Sequence, residues 1–129
     1  MANLRKDDIL FPEVSYQIVG AAFEVFNRLG WGHKEIIYQK AFSEELRQRK
    51  ISHEREKIVE FRYKNTTLGK QILDFMINKE VVVELKIKPR LGYTHIKQVM
   101  EYLKLTNCKL AILLYFTPDG VKYRRILNS

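Results

Sequence analysis

The chain has 129 residues, 46% hydrophobic and 29% charged, a composition typical of one globular domain with a sizeable core. Its apolar runs are far shorter than the roughly 20 residues of a bilayer-spanning helix, and its N-terminus has no signal-peptide pattern, so we expect a cytoplasmic protein without a membrane partner. Lysine and arginine outnumber aspartate and glutamate by 23 to 15, and the resulting net charge of +8 favours a polyanionic partner.

Two helices are predicted at the start of the chain. Over residues 14–29 the apolar side chains recur at three- and four-residue intervals, and Gly30 ends this helix. Three more residues widen the apolar face: Val19, Phe23 and Phe26. We therefore expect this helix to be largely buried against a sheet. A second helix follows Gly32, with its apolar stripe over residues 37–46.

After Ser52 the hydrophobic period changes to two, which predicts strands. Turn residues at 64–66 and 78–80 separate three of them. The first predicted strand follows Ser52 and includes residues 59–63, and four more span residues 67–77, 81–87, 110–116 and 121–127. A third helix is predicted to begin near Thr94, a suitable N-cap, between the third strand and the fourth. The element order is thus ααβββαββ.

Two carboxylates lie in strands that otherwise look buried. Asp74 has apolar residues on both sides, and Glu84 follows three valines. A three-residue loop at 78–80 would place Asp74 directly opposite Glu84, with Cβ atoms about 5 Å apart. Two ionised carboxylates at that distance repel unless a cation lies between them. Mg²⁺ suits such oxygen ligands, with Mn²⁺ as a substitute.

Lys86 lies two residues after Glu84 and therefore projects from the same face of the strand. A lysine beside a two-carboxylate metal site could position water or stabilise charge on a transferring phosphate. The alternative is structural: Asp74 pairs with Lys86 across the strands and Glu84 is exposed at the sheet edge. The triplet Glu-x-Lys alone does not distinguish the two.

Two helices add candidate residues. Glu24 is the one acid among the apolar residues 18–26, and the missing side chain of Gly20, one turn earlier, would open a path for its carboxylate into a cleft. In the third helix Gln98 and Tyr102 form an i, i+4 pair with His95 on their face. The alternative for these three residues is an ordinary solvated helix flank.

Taken in order, these motifs resemble those of the PD-(D/E)XK nucleases, particularly the RecB-like branch. The motifs are Gly20-x-x-x-Glu24, Asp74, Glu84-Leu85-Lys86 and Gln98-x-x-x-Tyr102. The pattern Gly32-x-x-Glu35-x-x-Tyr38 is similar to the signature of the small GxxExxY group, and this resemblance extends from about residue 14 to residue 127. The superfamily's name refers to a proline directly before the first aspartate. In this chain Leu73 occupies that position, before Asp74.

The resemblance implies an α/β restriction-endonuclease-like core, a mixed sheet flanked by helices, in one domain over residues 1–129 with 1–12 as an N-terminal extension. It also implies metal ligation by Asp74 and Glu84, with Glu24 as a further ligand, and catalysis by Lys86. Gln98 and Tyr102 would line the site, the former contacting Lys86 or water and the latter a substrate phosphate. Packing accounts for Gly32, Glu35 and Tyr38, although Glu35 or Tyr38 could also serve at the rim of the cleft.

Further residues follow the predicted site along the strand end and the third helix. Lys88, Arg90 and Lys97 could hold a phosphate backbone, and Tyr93 could stack on a base. The leading hypothesis is a Mg²⁺-dependent nuclease acting on nucleic acid, DNA in preference to RNA. The alternatives are a catalytically silent nucleic-acid-binding module and an interaction or scaffold protein. A homodimer is compatible with the small size of the domain.

Overall fold

A computed structural model of the protein describes residues 11–89 and 95–128. Its elements are α1 (Pro12–Leu29), α2 (Glu35–Gln48), β1 (His53–Tyr63), β2 (Thr66–Ile77), β3 (Val81–Ile87), α3 (Ile96–Thr106), β4 (Leu110–Thr117) and β5 (Gly120–Leu127). The predicted order is confirmed. The predictions for the N-terminal extension up to residue 10, and those for Arg90, Tyr93 and Thr94, lie outside the described residues. Within those residues, no helix is long and apolar enough to cross a bilayer.

The five strands form one mixed sheet in the order β1-β2-β3-β4-β5. The pairs β1–β2, β2–β3 and β4–β5 are antiparallel, whereas β3 and β4 are parallel. Parallel neighbours need a crossover connection, and α3 provides it. Every residue of β4 is buried, as expected of a strand covered on both faces. The α/β fold with a mixed sheet flanked by helices is therefore confirmed.

The helices cover opposite faces of the sheet and divide the core in two. On one face α1 and α2 pack on alternate residues of β2 to β5, with Phe42 and Phe75 in edge-to-face contact at 5.0 Å between ring centroids. On the other face α3 contributes Val99, Tyr102 and Leu103 to a second cluster. The chain thus buries apolar surface on both sides of the central strands, where the two carboxylates also lie.

The first strand begins at His53, as the change of period after Ser52 predicted, and its charged first half pairs with the buried second half of β2. One sequence prediction needs correction. α1 is less buried than its wide apolar face suggested. Phe23 is 43% exposed, since β5 is the last strand of the sheet and leaves the outer flank of α1 without a neighbour.

Candidate active site

Asp74 and Glu84 lie where β2 and β3 stop pairing. The regular register runs from Ile77–Val81 to Phe75–Val83, as the three-residue loop predicted, and Asp74 and Glu84 follow as the next opposed positions. At this position, hydrogen bonds from backbone amides to the two carboxylates take the place of backbone–backbone hydrogen bonds between the strands. The Asp74 amide donates to Glu84 Oε2 at 2.7 Å, and the Leu85 amide donates to Asp74 Oδ2 at 2.9 Å. Each carboxylate of this carboxylate pair therefore accepts a backbone hydrogen bond from the opposite strand.

A kink in β1 and β2 accompanies this exchange. Leu73 faces α3, yet Phe75, two residues later, packs in the cluster under α1 and α2. The alternation of side chains therefore breaks at Asp74. On the neighbouring strand the pairing passes from Arg55–Phe75 to Lys57–Leu73, and Glu56 between them has a left-handed φ of 52°. The break turns the Asp74 side chain towards β3.

Burial makes both carboxyl groups hard to ionise. Glu84 is only 2% exposed, and its burial and the charge of Asp74 raise its pKa to about 8. Burial also raises the pKa of Asp74, against the opposing effects of the Leu85 hydrogen bond and the Lys86 and Arg55 charges. Such a pair is costly to hold in the doubly ionised form without a cation.

Lys86 is a cation beside this pair. Its Nζ lies 4.0 Å from Glu84 Oε1, and one fifth of its side chain is exposed. Lys86 and Glu84 occupy the same face of β3, as strand alternation predicted. The structural alternative, with Asp74 paired to Lys86 and Glu84 exposed, is wrong on its second point, because Glu84 is buried.

Arg55 on β1 is a second cation near Asp74, which the sequence pattern did not indicate. Its guanidinium lies 5.9 Å from the Phe75 ring centroid, and its charge lowers the pKa of Asp74. Its Nε and Nη2 are buried without a hydrogen-bond partner among the described residues. The alternating charges of residues 53–57 gave no sign of this position, because it depends on the pairing of Arg55 with Phe75.

Glu35, at the start of α2, is a further carboxyl group whose pKa is affected by charges of the site. Burial and the charge of Asp74 raise the pKa of Glu35, whereas Lys86 and Lys88 lower it. Tyr38 fixes the entry to this helix: it is fully buried, its hydroxyl donates to the Gly30 carbonyl, and it accepts the His33 amide. Gly32 has φ of 114°, which other residues rarely adopt. Tyr38 thus fixes the loop before α2, while the exposed Glu35 carboxylate accepts a hydrogen bond from Gln39 Nε2 at 3.1 Å.

Glu24 is not brought to the carboxylate pair. Its carboxylate accepts a hydrogen bond from Arg28 Nε at 2.7 Å on the exposed side of α1. The path that Gly20 was expected to open is filled by Arg49, whose Nη1 lies 3.0 Å from the position of a Cβ on Gly20. The small residue therefore serves helix packing against Arg49.

α3 contributes Tyr102 to the site. Tyr102 is 3% exposed, its hydroxyl donates to the Ile72 carbonyl at 3.4 Å, and burial with the charges of Glu84 and Asp74 raises its pKa to about 12. It is not on a solvated flank. His95 Nδ1 lies 3.3 Å from the Tyr115 hydroxyl, and its pKa is lowered by burial and then by Lys86 and Lys88. Gln98 is exposed, and its contact with Lys86 stays a prediction.

Lys88 and Lys97 are exposed on the protein surface, as a phosphate-binding role requires. Lys88 follows the end of β3, and its charge lowers the pKa of both Glu35 and His95. Lys97 is in the first turn of α3. Arg90 and Tyr93, the other predicted contacts, belong to residues outside the described ranges.

The donor set fits a divalent cation with oxygen ligands. In residues 11–89 and 95–128, no three acidic, histidine or cysteine side chains converge into a complete cage. Mg²⁺ does not require one, since it commonly binds through one or two carboxylates and retains several waters. Two buried carboxylates with raised pKa values, next to one lysine, are compatible with that mode of binding.

Comparisons with known proteins give one matching family model and several similar folds. The family model of the PD-(D/E)XK nuclease superfamily matches residues 12–126. Among curated proteins, none matches the chain. The crystal structure of SSO0001 is similar with a TM-score of 0.53 and 19% identity, covering 90% of this chain and 77% of that one. At this identity the likeness shows a shared fold.

Two exonuclease structures are also among the similar folds. The phage-related exonuclease from Haemophilus somnus 129PT has a TM-score of 0.49 and 10% identity over 100% of this chain and 80% of its own. The alkaline exonuclease LHK-Exo from Laribacter hongkongensis has a TM-score of 0.47 and 12% identity over 98% of this chain and 73% of its own.

Proposed function

This chain belongs to the PD-(D/E)XK nuclease superfamily, and from that membership we propose that it is a metal-dependent nuclease that hydrolyses phosphodiester bonds, with DNA preferred to RNA. The observation that carries the proposal is the carboxylate pair itself. Asp74 and Glu84 are buried, opposed and cross-bonded to each other's backbone, at a cost that a purely structural role does not explain.

In this proposal Asp74 and Glu84 hold Mg²⁺, or Mn²⁺ as a substitute. When bound, such an ion would neutralise the carboxylates, activate water and polarise the phosphate. The two backbone hydrogen bonds keep one oxygen of each carboxylate oriented and leave the other available as a ligand.

Lys86 and Tyr102 would act on the substrate. The Lys86 ammonium can donate to the attacking water or to a phosphate oxygen that gains charge in the transition state. Tyr102 keeps its proton at neutral pH, so its hydroxyl can donate but not act as a base. Lys88 and Lys97, with Arg90 and Tyr93, are proposed contacts to the nucleic acid on either side of the scissile phosphate.

We further propose that the chain belongs to the GxxExxY group within the superfamily. Support comes from the Gly32-x-x-Glu35-x-x-Tyr38 pattern and from the Tyr38 hydroxyl, which holds the loop before α2. The signature would then describe how the start of α2 is held.

Cleavage assays with purified protein test the proposal. Single-stranded, duplex and branched DNA and the matching RNAs are incubated with Mg²⁺, Mn²⁺ or EDTA, using wild type, Asp74→Ala and Lys86→Ala. We expect metal-dependent cleavage by the wild type and a loss of at least about 100-fold in both variants, the typical effect of removing one electrostatic catalytic group. Glu24→Gln is the matched control and retains activity.

Cleavage that persists in Asp74→Ala would exclude the proposed site. Salt-sensitive binding without turnover in any metal would instead favour a silent nucleic-acid-binding module. Calorimetry then compares Mn²⁺ binding by the wild type and by Glu84→Gln. If the wild type does not bind Mn²⁺, or if both proteins bind it equally, the carboxylate pair has a structural role.

A further inference from the structure

The hairpin formed by β1 and β2 extends beyond the rest of the sheet. β1 pairs with β2 as far as its last residue, Tyr63, whereas β3 pairs with β2 only over residues 75–77. Among the described strands, β1 is therefore the one neighbour that pairs with residues 66–73 of β2. We call residues 57–73 the β-arm. This two-stranded ribbon begins at the position before Asp74, which belongs to the proposed catalytic site.

One face of the β-arm is covered by α3 at its base. Val59 and Leu73 belong to the apolar cluster under α3, and Gln71 Nε2 donates to Glu101 Oε1 of that helix at 3.0 Å. These contacts involve both strands of the β-arm, so they fix the direction in which it leaves the sheet.

The other face and the tip of the β-arm are open to solvent. Ile58 and Ile72 lie directly opposite each other on this face, and their exposed fractions are 58% and 57%. Every residue from 62 to 68 is exposed as well. Hydroxyl, amide and ammonium groups follow one another at the tip, in Tyr63, Lys64, Asn65, Thr66 and Thr67. The β-arm therefore presents a free face and a polar tip to a binding partner.

Positive charge is concentrated on the β-arm. Residues 57–73 contain four basic side chains and one acidic one, so they carry +3 of the net charge of +8. The acid, Glu60, is paired with Arg62. Lys64 and Lys70 are exposed, and in the part of the chain that the structure describes neither forms an ion pair. Two copies of the β-arm would repel each other, whereas a polyanion would be attracted.

We propose that the β-arm binds in the major groove of duplex DNA. The major groove of B-form DNA is about 12 Å wide and admits a two-stranded β-ribbon. Lys64 and Lys70 would contact phosphates along the groove, and the polar tip would reach the base edges. An RNA duplex does not offer this site, because its major groove is deep and narrow. The inference rests on the proposed function for its ligand class and adds the form of nucleic acid and its place on the protein.

The length of β2 gives the reach of the β-arm. Thr67, at the tip, precedes Asp74 by seven residues of the same strand. At about 3.4 Å per residue this amounts to at most about 24 Å. Duplex DNA rises about 3.4 Å per base pair, so the tip lies up to about seven base pairs from the carboxylate pair. A much shorter duplex at the carboxylate pair would not reach the tip.

Binding without cleavage tests the inference. Fluorescence anisotropy in EDTA measures the affinity of the full chain for a labelled DNA duplex of about 20 base pairs at several NaCl concentrations. The arm variant, Lys64→Gln with Lys70→Gln, removes both unpaired charges. We expect the slope of log affinity against log salt to fall by about two units, one for each phosphate that is no longer neutralised.

Two lysines at the opposite end of the sheet provide a matched control, Lys79→Gln with Lys109→Gln. Lys79, like Lys64, is in a hairpin turn with a left-handed φ, 58° against 55°, and Lys109 is exposed next to β4. We expect this control to retain the wild-type slope. Thermal unfolding shows whether each variant is folded. If the arm variant is not, Lys64→Gln alone is compared with Lys79→Gln, and a fall of about one unit is expected.

The form of the nucleic acid gives a second comparison. With single-stranded DNA or an RNA duplex of the same length, we expect equal slopes for the arm variant and the wild type, because neither ligand has a wide major groove. Its length gives a third. Under the proposed function, the arm variant in Mg²⁺ should lower kcat/KM at least about tenfold for the long DNA duplex, but not for a DNA hairpin with a stem of about 4 base pairs.

Equal slopes for the arm variant and the wild type on duplex DNA would overturn the inference, even if the wild type cleaves. Equal losses on duplex DNA, single-stranded DNA and the RNA duplex would also overturn it, because the contacts would then need no groove. Arm-dependent binding of duplex DNA by a wild type that cuts no substrate would support the inference and contradict the proposed function. If the arm variant changes the sedimentation of the protein but not its affinity for DNA, the β-arm is an interface between protein chains and the inference is wrong.

Discussion

At the scale of single residues, the proton on Glu84 links the site to stability. Burial raises its pKa from 4.5 to about 8, so the folded state binds this proton more tightly than the unfolded state. A raised acid pKa contributes stability fully at low pH, and the contribution is lost as pH rises between those two values. Asp74, whose pKa is also raised, acts in the same direction.

We therefore predict that the metal-free protein loses stability between pH 5 and pH 8, by up to about 1.4 kcal/mol per pH unit for the Glu84 proton. Glu84→Gln removes this titration and flattens the dependence. Urea unfolding in EDTA at the two pH values measures the difference. Equal pH slopes in wild type and Glu84→Gln would contradict the raised pKa, and Glu24→Gln is the control for an exposed carboxylate.

Arg55 should affect the acid side of the activity profile. Its charge favours ionised Asp74, so Arg55→Gln raises the pKa of that carboxyl. Under the proposed function we predict that the acidic limb of the kcat/KM profile moves to higher pH. Arg62→Gln, on the same strand and exposed, leaves the profile unchanged. A profile that is identical in Arg55→Gln would show that this cation does not act on the site.

At the scale of elements, the junction of α1 and α2 depends on one hydroxyl. Tyr38 donates to the Gly30 carbonyl and accepts the His33 amide in a buried position. Tyr38→Phe leaves both groups unpaired, so we predict a loss of about 1–3 kcal/mol in the free energy of unfolding. Chemical denaturation measures it. Tyr63→Phe, on an exposed ring, serves as the control, and equal stability of Tyr38→Phe and wild type would refute the prediction.

The elements show what the sequence could and could not predict about the site. Opposition of Asp74 and Glu84 followed from local information, because the loop length and the two-residue period together determine register. Local information did not show that the Glu24 carboxylate lies away from the pair. The space above Gly20 is occupied by Arg49, a residue 29 positions later, and helix periodicity contains no such long-range information.

The same limit explains two other residues. Phe23 was expected in the core because its helix face is apolar, but the extent of the sheet, which ends at β5, leaves it exposed. Arg55 was missed because its place beside Asp74 arises from the kink between Arg55–Phe75 and Lys57–Leu73. Amphipathic patterns predict which elements form, whereas contacts across the sheet decide which charges meet.

At the scale of the whole molecule, the net charge of +8 should control binding of nucleic acid. Under the proposed function we predict that affinity falls steeply between 50 and 200 mM NaCl, because each neutralised phosphate releases counterions. Lys88→Ala should reduce the slope of log affinity against log salt by about one unit. Lys40→Ala, an exposed lysine of α2, should not, and equal slopes in both variants would remove Lys88 from the interface.

The cross-bonded carboxylates also bear on how a metal ion would enter. Because the opposite strand's amides already fix Asp74 and Glu84, their geometry exists before any ion arrives. Binding to a preorganised site involves little ordering of the chain, unlike a zinc finger that folds around its metal. Added Mn²⁺ should therefore raise the melting temperature while leaving the circular dichroism spectrum of the protein unchanged.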